Sequence, residues 1–187
     1  MGQEGNERLD YLMSRMDILD CINRIARGVD RLDRDIFRTG YHDDAILDFG
    51  THIGTPDQHM DFFFDLHAKM QTATAHTICN HTCEIDGDVA HTETYYIYGS
   101  ENTSGTPVTV AGGRYVDRFE RRKGRWAISL RKCVPTWNMT PDSDVSKQIA
   151  EAFRLVGNNV RDRSDMSYQR PSTLSPDRLA AAQAQDE

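Results

Sequence analysis

Through the first third of the chain, apolar positions recur every three or four residues. Leu9, Leu12, Met13, Met16, Leu19, Ile22 and Ala26 fall on one broad face, which predicts a helix over residues 7–27 that Gly28 weakens or ends. The line Leu12, Met16, Leu19, Asn23, Ala26 continues onto Asp30, so a carboxylate lies on the extension of a mostly apolar stripe. A second short helix is predicted over about 32–40, carrying Leu32, Ile36 and Phe37 and stopping at Gly40. "AILDFG" reads as a short strand. Pro56 opens a third helix that runs to about Gln71, with Met60, Phe63, Phe64 and His67 on one side.

From His76 the period changes to two. "HTICNHTCEI" meets the turn signal "DGD" and returns as "VAHTETYYIYG", and "VTVAGGRYVDRFER" turns at "RKG" into "RWAISLRKCVPTW". Three helices followed by long antiparallel strands predict an α+β domain over 1–140, with helices packed on one face of the sheet. Val145, Ile149, Phe153, Val156 and Val160 predict a C-terminal helix within 141–160. Residues 161–187 are polar, and are expected to be loosely ordered or packed on another subunit.

Composition changes this picture little. A chain of 187 residues, 38% hydrophobic and 27% charged, suits one domain with a real core and contains no run approaching a membrane span. A formal net charge of −7 argues against nucleic-acid binding, and "ERRKGRW" is explained as a solvated hairpin tip. The opening "MGQEGNERLD" has no secretory character, so the expected compartment is the cytoplasm. Cys21, Cys79, Cys83 and Cys133 form no CxxC pair and are expected to be reduced, buried thiols.

Asp30 has two readings: a cap for the second helix, or a carboxylate pointing into a pocket, where it needs a partner because an unpaired buried charge is costly. Among the histidines, His42 sits in the polar "GYHDDA" and His52 and His59 flank the "IGTP" turn, so all three are expected at the surface. His67 lies beside phenylalanines and reads as a core residue. His76 begins a long strand, and strict alternation places His81 on its other face, which weakens any metal reading. No Gly-rich phosphate loop, GxSxG, HExxH or calcium loop is present, and no metal or cofactor is expected.

The order of three helices, a strand hairpin, "GGRYVDRFERRKGRWAI" and "LRKCVPTW" resembles the SnoaL-like branch of the NTF2-like superfamily over roughly residues 8–137. That resemblance implies a cone-shaped fold in which a curved antiparallel sheet and three N-terminal helices enclose a pocket. It also implies a homo-oligomer, dimer or trimer. "GVD" followed by a strand-starting "H…N" is similar to the cofactor-free lyases of the branch, including scytalone dehydratase, hexachlorocyclohexane dehydrochlorinase and the bile-acid dehydratases. Carried onto this chain, the resemblance makes Asp30 the residue that orients the base His76. It makes Arg131 the pocket arginine and Tyr115 a pocket residue. Val29 and Phe49 stand where scytalone dehydratase has tyrosines, so an acid would have to come from Tyr95 or Tyr115, and Phe49 joins these two against the substrate.

The expected activity is therefore a cofactor-independent elimination, such as a dehydration, using an Asp–His general base on an apolar, ring-bearing small molecule: aromatic, lignin-derived, sterol or polyketide. Alternation along "WAISLRK" leaves Arg131 facing out unless the strand is bulged, and a surface cation is its other reading. Two alternatives stand beside the lyase. One is a SnoaL-type cyclase or isomerase, or an epoxide hydrolase using Asp117 and Arg114. The other is a non-catalytic scaffold such as the small subunit of ring-hydroxylating dioxygenases.

Overall fold

The computed structural model describes residues 2–104, 108–139, 155–157 and 164–184. Helix α1 spans Gln3–Asp30, α2 Arg34–Arg38, and α3 Pro56–Met70. Strands β1 (Tyr41–Asp48), β2 (Ile53–Gly54), β3 (Gln71–Asp86), β4 (Val89–Asn102), β5 (Val108–Arg122) and β6 (Arg125–Asn138) form one curved, unclosed sheet in the order β2-β1-β6-β5-β4-β3. This is the expected α+β architecture, with one refinement: β1 begins at Tyr41 and runs parallel to β6, while every other pairing is antiparallel.

Helix α1 passes through Gly28 rather than ending there. A Cβ at Gly28 would meet the Phe37 backbone nitrogen at 2.6 Å, so the glycine lets α2 press against the helix and α1 continues to Asp30. The buried face of α1 is also not the predicted one. Ser14, Ile18, Cys21, Ile22, Ile25 and Gly28 face the sheet, while Leu12 and Met16 are 49% and 61% exposed. Two apolar stripes run along this helix, and the sheet packs on the one richer in β-branched residues. Asp33, not Asp30, caps α2, its carboxylate accepting from the Ile36 N–H at 2.9 Å. Thr55 and Gln58 form a capping box at the start of α3.

Two bulges decide what faces inward. In β3, Ile78 pairs with Tyr96 and His81 with Thr94, so one extra residue within Cys79–Asn80 reverses the alternation and brings His81 to the same face as His76. In β6, Ile128 pairs with Phe119 and Leu130 with Arg118, leaving Ser129 extra and turning Arg131 and Cys133 inward. The core between helices and sheet holds Ile18, Ile22, Phe37, Phe64, Phe119, Trp126 and Ile128.

The C-terminal helix expected within 141–160 falls almost wholly outside the described residues. The sequence predicts a tail that is loose or held by another subunit, but residues 164–184 lie on this chain's own sheet. They include a short turn, Met166–Tyr168, and helix α4, Pro176–Gln183. Arg114 makes a two-pronged ion pair with Asp165, Lys132 donates to the Thr173 carbonyl at 2.7 Å, and the Ser172 N–H donates to His91 Nε2 at 3.1 Å. Arg178 of α4 holds both the Asp48 carboxylate and the Gly50 carbonyl.

Candidate active site

Asp30 is the last residue of α1, and His76 lies on β3 opposite Tyr98 of β4. The imidazole Nδ1 is 2.7 Å from Asp30 Oδ1, and the His76 backbone N–H donates to Oδ2 at 2.8 Å. Thr74 Oγ1 adds a third bond to Oδ1 at 3.2 Å. Both side chains are nearly enclosed, at 13% exposure for Asp30 and 11% for His76. Burial pushes the Asp30 pKa up, but the bonds from His76, through side chain and backbone, outweigh it and hold the carboxyl below its ordinary value. An ionised Asp30 fixes the proton on Nδ1, which leaves Nε2 with a free lone pair: the arrangement of a general base.

The dyad borders a cleft of about 280 Å³ at the seam between α1 and β3, near the lower end of the sizes usual for small-molecule sites. His76 and Ile78 supply its β3 wall; Asn23, Ala26, Arg27, Asp30 and Arg31 supply the α1 wall. Where the sequence predicts apolar walls, these α1 residues are polar or charged apart from Ala26.

Inward from the dyad, aromatic rings follow one another. His76 lies 4.9 Å from Tyr98 and 6.4 Å from Tyr96, Tyr96 stacks on Tyr115 at 4.5 Å, and the Arg131 guanidinium sits 4.1 Å from the Tyr115 ring centre. Phe49 joins from β1's end, 6.5 Å from Tyr115 and 4.2 Å from His59. Asp30, His76, Tyr115, Phe49 and Arg131 thus face one interior.

Tyr95 does not. It is 45% exposed on the outer face, and Tyr96 and Tyr98 take the inward positions, because alternation in β4 lets only one set see the pocket. Arg131 is inward but committed: Nε and Nη2 donate to the two Asp117 oxygens at 2.9 and 2.7 Å, and Nη1 donates to the Tyr41 hydroxyl at 3.3 Å. Asp117 is fully buried with it, so the couple is neutral and belongs to the core as much as to the site. Arg114 faces outward to Asp165 and Glu93, so Arg114 and Asp117 do not form one set.

Three histidines expected at the surface are inside. His42 is buried and bonded to the Glu120 carbonyl at 2.9 Å. His52 is half-buried beside Phe62, and His59 is enclosed by Phe37, Phe49 and Phe63, which holds its pKa well below the ordinary value by desolvation. His67, read from the sequence as a core residue, is half-buried near the site. Its ring bonds Gln71 through Nδ1 and lies 6.1 Å from Tyr98, which places a second imidazole behind the same tyrosine that contacts His76. Its i,i+4 spacing to Gln71 was the available signal. His81 bonds Thr94 Oγ1 at 2.9 Å and shares the inner face. Even so, no group of three or more metal-ligating side chains comes together among the described residues.

Cys133 is fully enclosed beside the Tyr96 hydroxyl, and burial pushes its thiol up to about 12, well away from reactivity. Cys79 is only half-buried, while Cys21 and Cys83 are buried, and all four are free thiols. Among the described residues, no helix is long and apolar enough to cross a membrane.

A family profile described as a SnoaL-like domain matches residues 10–132. Among solved structures, the hexachlorocyclohexane dehydrochlorinase of Novosphingobium barchaimii superposes with a TM-score of 0.66 at 21% identity, covering 73% of this chain and 95% of that one. A protein provisionally named a scytalone dehydratase, from Novosphingobium aromaticivorans, gives 0.65 at 14% identity over 71% of this chain and 91% of that one. A Mycobacterium tuberculosis protein of unknown function gives 0.62 at 19% identity, covering 87% of this chain and 99% of that one. No curated protein matches the chain in sequence. At these identities the likeness shows the fold.

Proposed function

The chain belongs to the SnoaL-like family, and on that premise we propose that it is a cofactor-independent lyase whose base is His76, oriented by Asp30. The observation that carries this reading is the double grip of Asp30 on His76, at the ring Nδ1 and at the backbone N–H of the same residue. A carboxylate serving only as a helix cap would not need a histidine, and α2 already has its cap in Asp33.

In the proposed reaction His76 Nε2 removes a proton from a carbon acidified by a neighbouring carbonyl, aryl or electron-withdrawing group. The C–H electron pair becomes a new C=C bond, and a leaving group on the adjacent carbon departs with its own bonding pair. Asp30 stabilises the imidazolium so formed, and His76 returns the proton to water or to the leaving group. An oriented base of this kind contributes about 10²–10⁴-fold. Ile78 in the cleft and the Tyr98 ring behind His76 suit a cyclic substrate, consistent with an aromatic, sterol or halogenated ring. Two structural neighbours are named for dehydrochlorination and dehydration, both of which begin with this step. Arg131, neutralised by Asp117, would contribute N–H donors and the position of Tyr115 rather than a free positive charge.

The test is turnover of a panel of cyclic alcohols and cyclic halides with a proton β to the leaving group. His76→Ala and Asp30→Asn are expected to lower kcat/KM by about 10²–10⁴-fold in protein that is still folded at the assay temperature. Full activity per folded molecule in both variants would sink the reading.

A further inference from the structure

Arg27, in the last turn of α1, and Arg31, the residue that caps its C-terminus, both line the cleft that holds the dyad. Among the described residues neither has a carboxylate partner. Arg31 reaches only the Asp30 backbone carbonyl at 3.3 Å, and both residues are exposed. Arg34, Arg38, Arg121 and Arg122 each take an aspartate or glutamate at the surface, whereas Arg15 and Arg125 bond a hydroxyl or carbonyls, so what sets Arg27 and Arg31 apart is their shared place on the cleft. Positive charge in the last turns of a helix complements its dipole, which accounts for arginines near the end of α1. It does not account for two of them bordering one cleft.

The rest of the lining decides what such a pair could hold. Asp30 is ionised, and its oxygens are committed to His76 and Thr74. An anion would therefore be repelled from the dyad and drawn to the arginine side, while an apolar body could rest on Ile78 and reach the Tyr98 ring behind His76. Guanidinium forks match carboxylate and phosphate or sulfate oxygens in two-pronged geometry.

We propose that the substrate of this site is an amphipathic anion: a ring-bearing molecule with a carboxylate, or a phosphate or sulfate ester, that Arg27 and Arg31 hold at the cleft mouth with the ring directed at His76. The inference rests on the dyad reading and narrows its substrate class. The anion sets which carbon faces Nε2, because it fixes one end of the substrate one α1 turn from Asp30.

The experiment uses the full chain labelled with ¹⁵N in its histidine rings, titrated with three probes that share one ring: 2-naphthoate, 2-naphthyl phosphate and neutral 2-naphthalenemethanol. The anions are expected to shift the His76 ring signals saturably and to bind about tenfold or more tighter than the alcohol, with the difference fading as salt rises. Whichever anion binds tighter identifies carboxylate or phosphate as the group. Arg27→Gln with Arg31→Gln should reduce both anions to the affinity of the alcohol, and Arg27→Lys with Arg31→Lys should restore part of the preference.

Equal binding of alcohol and anions, an unchanged preference in the glutamine variant, or His76 signals that no probe moves would each overturn the proposal. Failure of the dyad reading is a separate result: anion preference intact in a protein whose His76→Ala variant loses no turnover would retain the anion site and discard the base.

Discussion

At the scale of single residues, the buried charges carry the sharpest expectations. Asp30 has its pKa lowered in the folded chain, so its bonds contribute stability that is fully present above the unfolded carboxylate value and is lost as pH falls through the folded one. The melting-temperature gap between the parent and Asp30→Asn should therefore be constant near neutral pH and narrow below about pH 4. His59 runs through a higher window. Desolvation keeps it neutral when folded, while the unfolded ring takes up a proton near its usual value, so stability present at pH 7 drains away below about 6.5. His59→Phe, which keeps the ring among Phe37, Phe49 and Phe63, should lose less melting temperature than the parent between pH 7 and pH 5. An identical loss would show that His59 is not the titrating group. Arg131→Met should cost about 3–5 kcal/mol in denaturant unfolding, because it strands the Asp117 charge inside; adding Asp117→Leu should recover most of it.

At the scale of elements, the bulges are where the sequence was least legible. The helix–strand order, the third helix from Pro56 and the two hairpins follow from period and turn residues, and Asp30 and His76 could be paired from the family pattern before any coordinates. Strict alternation, however, sends His81 to the wrong face and leaves Arg131 inward only if β6 is bulged. One extra residue is enough to reverse the alternation that follows it, and neither Asn80 nor Ser129 is a residue whose type announces a bulge. Helix α1 failed differently. Its two apolar stripes are equivalent to a periodicity count, and only the sheet chooses between them. His59 was misplaced because it neighbours a turn, although it sits on the inner side of α3. Removing Ser129 should be far more harmful than Ser129→Ala: the deletion turns Arg131 and Cys133 outward, whereas the alanine loses one side-chain bond to the Arg118 carbonyl. Comparing the two denaturation midpoints tests this.

At the scale of the whole molecule, the C-terminal arm lies beyond the part of the chain that matches the family. The SnoaL-like match ends at residue 132, yet residues 164–184 return to the outer sheet face and fasten there through Asp165, Thr173, Ser172 and Arg178. Asp165→Ala should lower stability by about 1–3 kcal/mol, since Arg114 would lose its two-pronged bond to the arm; an unchanged denaturation midpoint would show that this ion pair contributes nothing to folding. The polar composition of this segment hid the attachment, because the arm is held by ions and carbonyls more than by apolar area.

Its far end has a consequence for how the chain can be handled. Arg178 grips the carboxylate before Phe49 and the carbonyl after it, from outside the sheet, while the Phe49 ring points in toward Tyr115. A protein trimmed after Met139 would keep both members of the dyad and the whole of the family match, and would still lose the outer clamp on the backbone either side of that ring. Such a trimmed chain would keep the proposed base while losing the outer hold on Phe49, so the ligands it selects would not stand for those of the full chain.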